Sequence, residues 1–164
     1  MLDETKNIDG TDTRVVEERE TKDGRPVEVS RNYFALNTRT NSILYFGEDV
    51  DSYKDGRIDN HEGSWTAGSG GAQFGLMMPG EVLLKARYYQ EIAPKLAMDR
   101  GEIVSMSTTV QTPAGRFDRC VVVQETSPLE TFNKEYKYYA RGIGLIQDGS
   151  ARLVKYGNAV EPRN

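Results

Sequence analysis

Five consecutive residues, His61-Glu62-Gly63-Ser64-Trp65, bring an imidazole, a carboxylate, a hydroxyl and an indole together, and the chain has no other histidine and no other tryptophan. A histidine base beside a serine is the pairing that activates a hydroxyl for attack on a carbonyl. Alternation along a strand argues against that pairing, because His61, Gly63 and Trp65 would share one face while Glu62 and Ser64 share the other. The chain also lacks the Gly-x-Ser-x-Gly elbow that exposes a nucleophilic serine. Trp65 reads as a core anchor, with a ligand-stacking platform at a cavity mouth as the alternative. A second group, Glu91, Asp99 and Glu102, falls on neighbouring expected strands. Two carboxylates across a cleft can act as acid and base on a glycosidic bond. His61, Glu62 and Glu91 are therefore the candidates for catalysis by proton transfer.

Metal chemistry has less to work with. The run Glu48-Asp49-Val50-Asp51, with Asp55 beyond it, offers carboxylate oxygens to a hard cation such as Ca²⁺, and Asp49 and Asp51 are the candidate ligands. Its spacing lacks the fixed glycine and distal glutamate of a calcium-binding loop. The competing reading is a charged edge strand whose acids discourage pairing with another chain. One histidine and one cysteine are too few nitrogen and sulfur ligands for a catalytic zinc. Ser69-Gly70-Gly71 lacks the lysine and hydroxyl of a phosphate loop. No cofactor is expected. Cys120 lies in the apolar run Cys120-Val121-Val122-Val123 and reads as a buried thiol; as the sole cysteine it has no disulfide partner within the chain.

Strands must position these groups. Asp23-Gly24, Asp55-Gly56, Ala114-Gly115 and Asp148-Gly149 are pairs that tolerate the positive φ of tight hairpins. Between them runs alternate, as in Val27-Glu28-Val29-Ser30 and Glu135-Tyr136-Lys137-Tyr138. Period two with one polar face marks antiparallel strands half exposed to water. The pattern predicts an all-β fold, an antiparallel meander forming a curved half-barrel or sandwich with little helix. Leu84, Tyr88 and Ile92 have helical spacing, but Arg87-Tyr88-Tyr89-Gln90-Glu91-Ile92 suits a strand, which is the reading preferred here. The stretch from Gly68 to Gly80 is too glycine-rich for a strand interior and reads as the main irregular loop. Tyr45-Phe46-Gly47 running on to Asp55-Gly56 echoes Tyr138-Tyr139-Ala140 running on to Asp148-Gly149, which suggests two similar hairpins. Residues 1–12 and 158–164 are polar and expected to be loose, leaving one β domain over 13–157.

The net charge of −4 over 164 residues, with no basic stripe, speaks against a nucleic-acid partner. No apolar run approaches the roughly 20 residues that a membrane-spanning helix needs.

Several motifs occur in a fixed order: Tyr45-Phe46-Gly47-Glu48-Asp49-Val50, Gly63-Ser64-Trp65-Thr66-Ala67-Gly68, Met78-Pro79-Gly80, Arg87-Tyr88-Tyr89-Gln90-Glu91, and Lys137-Tyr138-Tyr139-Ala140-Arg141-Gly142-Ile143-Gly144-Leu145-Ile146. Together they resemble a family of uncharacterised, usually exported bacterial β-rich proteins, over residues 13–157. The resemblance implies a periplasmic or secreted protein and carries over no catalytic residue. The expected function is a non-catalytic extracytoplasmic binding or envelope module. Its groove for an apolar or sugar-like ligand would be lined by Trp65, Phe74, Met77, Met78, Tyr88 and Tyr89. The alternatives are a small acid/base hydrolase or lyase using Glu62, Glu91 or His61, and a structural β domain that forms homo-oligomers through its sheet edges.

Overall fold

Alternation and Asp-Gly turns dominate the sequence, and the structure follows them. The computed structural model describes residues 1–157, so the tail at 158–164 lies outside the described residues. No helix forms among them, and every strand pairing is antiparallel. The first sheet contains β1 (Thr5–Ile8), β2 (Thr11–Lys22), β3 (Arg25–Asn37), β4 (Ser42–Lys54), β5 (Arg57–Asn60), β6 (Trp65–Thr66) and β7 (Gly75–Met78). The second contains β8 (Arg87–Tyr89), β9 (Arg100–Thr112), β10 (Gly115–Ser127), β11 (Glu130–Ala140), β12 (Gly144–Asp148) and β13 (Ala151–Arg152). Each is a meander in sequence order, except that β6 and β7 return to pair with β4 beside β5.

One edge of β4 is covered by β3 and the other, in succession, by β7, β6 and β5. The first sheet curls: β1 is its far edge, yet a Cβ on Gly68, just past β6, would lie 2.9 Å from the Asp9 carboxyl carbon at the β1–β2 turn. This half-barrel closes on Ile8, Val15, Tyr33, Phe46 and Ala67. The opposite face of β4 presents Tyr45, which packs with Trp65, Ala72 and Ala93. A third cluster, Val110, Cys120, Ala140 and Ile146, belongs to the second sheet, and Cys120 is fully buried there.

Two expectations are corrected by these strands. The segment expected to be loose at 1–12 carries β1 and the start of β2, joined by a hairpin in which Asp9 and Gly10 both have positive φ. The stretch expected to be irregular at 68–80 contains β7, which pairs with Ile43 to Tyr45. Its glycines divide the work. Gly68, Gly70 and Gly71 take positive φ in tight turns, whereas Gly75 and Gly80 let backbones approach.

Candidate functional site

The His61 stretch forms the turn between β5 and β6, and its polar groups are tethers. The Ser64 hydroxyl accepts the Val50 N–H at 2.8 Å. His61 Nδ1 lies 2.9 Å from the Val50 carbonyl and 2.9 Å from Asp51 Oδ1. Both side chains thus pin the turn to β4 rather than to each other, and the Glu62 side chain is exposed. Asp51 also meets Arg31 at 3.5 Å. Asp49 is held by Lys6 at 2.8 Å and by the Tyr33 hydroxyl. These two contacts outweigh partial burial and keep the Asp49 carboxyl below its ordinary range. The two candidate cation ligands are therefore engaged by protein groups. Among the described residues, no set of three histidine, cysteine, aspartate or glutamate side chains is arranged to hold a metal ion.

Glu91 follows β8 and sits where the two sheets meet. Burial, and then the nearby Asp99 and Glu48 charges, push its carboxyl up to about 8. Glu48, on β4, is pushed up to about 7 by burial and then by Glu28. The seam continues into the second sheet. Gln90 donates its amide N–H to Glu125 Oε1 at 2.7 Å, and Lys137 reaches Glu125 Oε2 at 3.0 Å. Burial pulls the Lys137 ammonium down, but the Glu125 and Asp148 carboxylates outweigh it and hold it above the usual lysine range. Glu102 turns to a different partner, the Arg87 guanidinium at 2.7 Å. Glu91 and Glu102 thus lie in separate surroundings, and His61 and Glu62 belong to the turn between β5 and β6.

The six expected ligand-binding residues divide into three groups. Trp65 is 5% exposed in a cluster with Tyr45, Ala72 and Ala93, and Met77 packs against that cluster. The Trp65 Nε1–H is enclosed without a hydrogen-bond partner, and the ring contacts Tyr45 edge-on at 5.5 Å. Trp65 also borders a hollow of about 280 Å³ with Ser69, Gly70, Ala93 and Leu96, but its burial leaves little ring face to offer. Phe74 stacks on Phe46 at 5.1 Å, on the half-barrel side, and Met78 pairs with Ile43. Neighbours on a strand point to opposite faces, so Met78 is turned away from Met77.

Tyr88 and Tyr89 form the third group. They lie on β8 and border a groove of about 290 Å³. Register builds the groove: Arg87 is opposite Glu102 and Tyr89 opposite Arg100, while across β9 Gln124 and Thr126 continue the same two rows. Tyr88, on the intervening row, seats its ring against Gly101, where a Cβ would fall 2.9 Å from Tyr88 Cε2. Burial, and then the Glu125 charge, push the Tyr88 phenol up to about 12. Tyr89 is 40% exposed and presents its ring to the groove. The Arg100 guanidinium is 5.8 Å from that ring's centroid, near the outer limit of roughly 6 Å for a cation–π contact. Arg100 makes no ion pair among the described residues. The groove is at the small end of ligand sites, which span about 300–1,000 Å³, so it fits a ring or two at a time.

Sequence reasoning named the two tyrosines of this groove and did not single out Arg87 or Arg100. No family model, no curated protein and no solved structure matches the chain.

Proposed function

We propose that the protein is a non-catalytic binding module, acting outside the cytoplasm, whose ligand is sugar-like and lies against the exposed ring of Tyr89. The observation that carries this reading is the groove beside β8, where an exposed tyrosine ring and an arginine with no carboxylate partner among the described residues meet in one concave surface. Aromatic faces attract the C–H-rich face of a sugar ring, and a few polar groups fix its orientation. The compartment is proposed from the likeness of the sequence motifs to exported bacterial proteins. A proton-transfer enzyme is the second reading, favoured by the raised carboxyls of Glu48 and Glu91. Neither carboxyl borders the tyrosine groove or the hollow beside Trp65.

Native mass spectrometry of the protein, purified gently from its own host, tests the reading. The expected result is a retained small molecule that is absent from Tyr89→Ala, with the two proteins melting at the same temperature. A molecule retained equally by Tyr89→Ala but lost on Glu91→Gln would overturn the groove in favour of the second reading.

A further inference from the structure

We propose that the ligand is an anionic oligosaccharide of the uronate type, laid across β8 to β11 with its carboxylates toward Arg100. The inference rests on the groove being a ligand site and goes on to its chemistry. Charge supplies the sign: the groove is bordered by two guanidiniums and one carboxylate, although the whole chain carries a net −4. Glu102, the one acid, is already neutralised by Arg87 at 2.7 Å. Arg100 then remains as a cation without a protein partner among the described residues. A planar guanidinium donates two parallel N–H bonds to a carboxylate, the form of charge that a uronate ring carries. A neutral sugar would leave that cation unused.

Length is supplied by the sheet. Gln124, in the row of Arg87 and Glu102, stands opposite Tyr136 on β11. The Tyr136 hydroxyl donates to Gln124 Oε1 at 3.1 Å, which holds the ring over the sheet with 41% of its surface exposed. Beyond Tyr136, the next hollow, over β11 and β12, is bordered by Glu135 and Asp148 with Lys134 as well as by Tyr138 and Gln147, so the strip for an anionic chain ends at Tyr136. From β8 to β11 is three strand spacings, about 14 Å. Tyr89 and Tyr136 are thus two aromatic platforms separated by more than one sugar ring, with Arg100 beside the first. Such a strip selects a chain over a single sugar.

Titration calorimetry at low salt tests this, using hexagalacturonate, monomeric galacturonate and the neutral hexamer cellohexaose as probes. The expected result is hexagalacturonate binding about tenfold or more tightly than cellohexaose, the gain of a charge-assisted pair. Arg100→Gln should erase that difference and leave cellohexaose unchanged. Tyr136→Ala should weaken the hexamers and leave the monomer unchanged. Both positions are exposed, and unchanged melting confirms folding of each variant. Equal affinity for the charged and neutral hexamers, indifference to Arg100→Gln, or no binding of hexagalacturonate would each overturn the inference. The groove itself stands or falls separately, on whether the molecule retained in native mass spectrometry depends on Tyr89.

Discussion

Glu91 and Glu48 are carboxyls whose protons the fold holds on to. An unfolded glutamate ionises near 4.5, whereas Glu91 in place is pushed up to about 8 and Glu48 to about 7. Between those limits the folded chain binds more protons than the unfolded one, so their contribution to stability falls as pH rises and levels off above about pH 8. Glu91→Gln keeps a neutral polar group in the seam and removes that cost. Its melting temperature relative to the parent is expected to climb from about pH 5 to about pH 9, as the linkage requires. Parallel melting curves for the two proteins across that range would show that the Glu91 proton is not coupled to folding. The sequence displayed Glu91 as an acid near other acids, yet its surroundings were hidden, because Glu48 and Lys137 reach it from distant strands. Arg100 was hidden for a similar reason. Its pairing with Tyr89 closes the irregular stretch from Gln90 to Asp99, which has no alternation from which to count register. Cys120 and Trp65 were legible as interior residues, since an apolar run and a large indole declare burial by composition alone.

At the scale of the element, β7 is the strand that joins the sheets. Gln73 donates its N–H to the Ile92 carbonyl at 2.8 Å, and Gln90 reaches Met77 Sδ at 3.5 Å. A Cβ on Gly75 would stand 2.0 Å from the Gln90 carbonyl oxygen, so the two backbones touch where this glycine has no side chain. Gly75→Ala is expected to push the sheets apart and to destabilise by about 1–3 kcal/mol or more, the usual cost of overfilling a packed site. Gly70→Ala meets no neighbour and is resisted only by its φ of 59°, so it should cost less. Chemical denaturation of both variants checks the order, and an equal loss for the two would count against the seam. Element type was largely readable, because Asp23-Gly24 and Asp55-Gly56 do adopt positive φ at both positions of their turns. The same signal stood at Asp9-Gly10 and went unread, since the polar residues around it suggested a loose end. The echo between the two tyrosine-bearing segments misled in the other direction. After Ala140 the chain turns at once at Arg141-Gly142, while after Gly47 the strand runs on to Lys54. Aromatic pairs set a buried face but do not fix where a strand ends.

For the whole molecule, the order of strands follows the order of the chain. The first sheet is complete by Met78 and the second begins at Arg87, and apart from the returns of β6 and β7 every sheet neighbour is a sequence neighbour. Hairpin-built sheets of this kind lower the mean sequence separation of contacts and favour rapid folding for a β protein. Among the described residues the main chain passes from one sheet to the other once, through a segment in which Leu83 and Leu84 are 57% and 56% exposed. Exposed segments with side chains accessible to solvent are where proteases cut. A protease directed at Leu83 or Leu84 would leave every strand among the described residues with its partners. The nicked protein is expected to elute as one particle, held by the Gln73–Ile92 and Gly75–Gln90 contacts, and to separate into two peptides only in denaturant. In that sense the peptide bond between Leu83 and Leu84 is dispensable to the assembled molecule, which could be made as two chains that find each other.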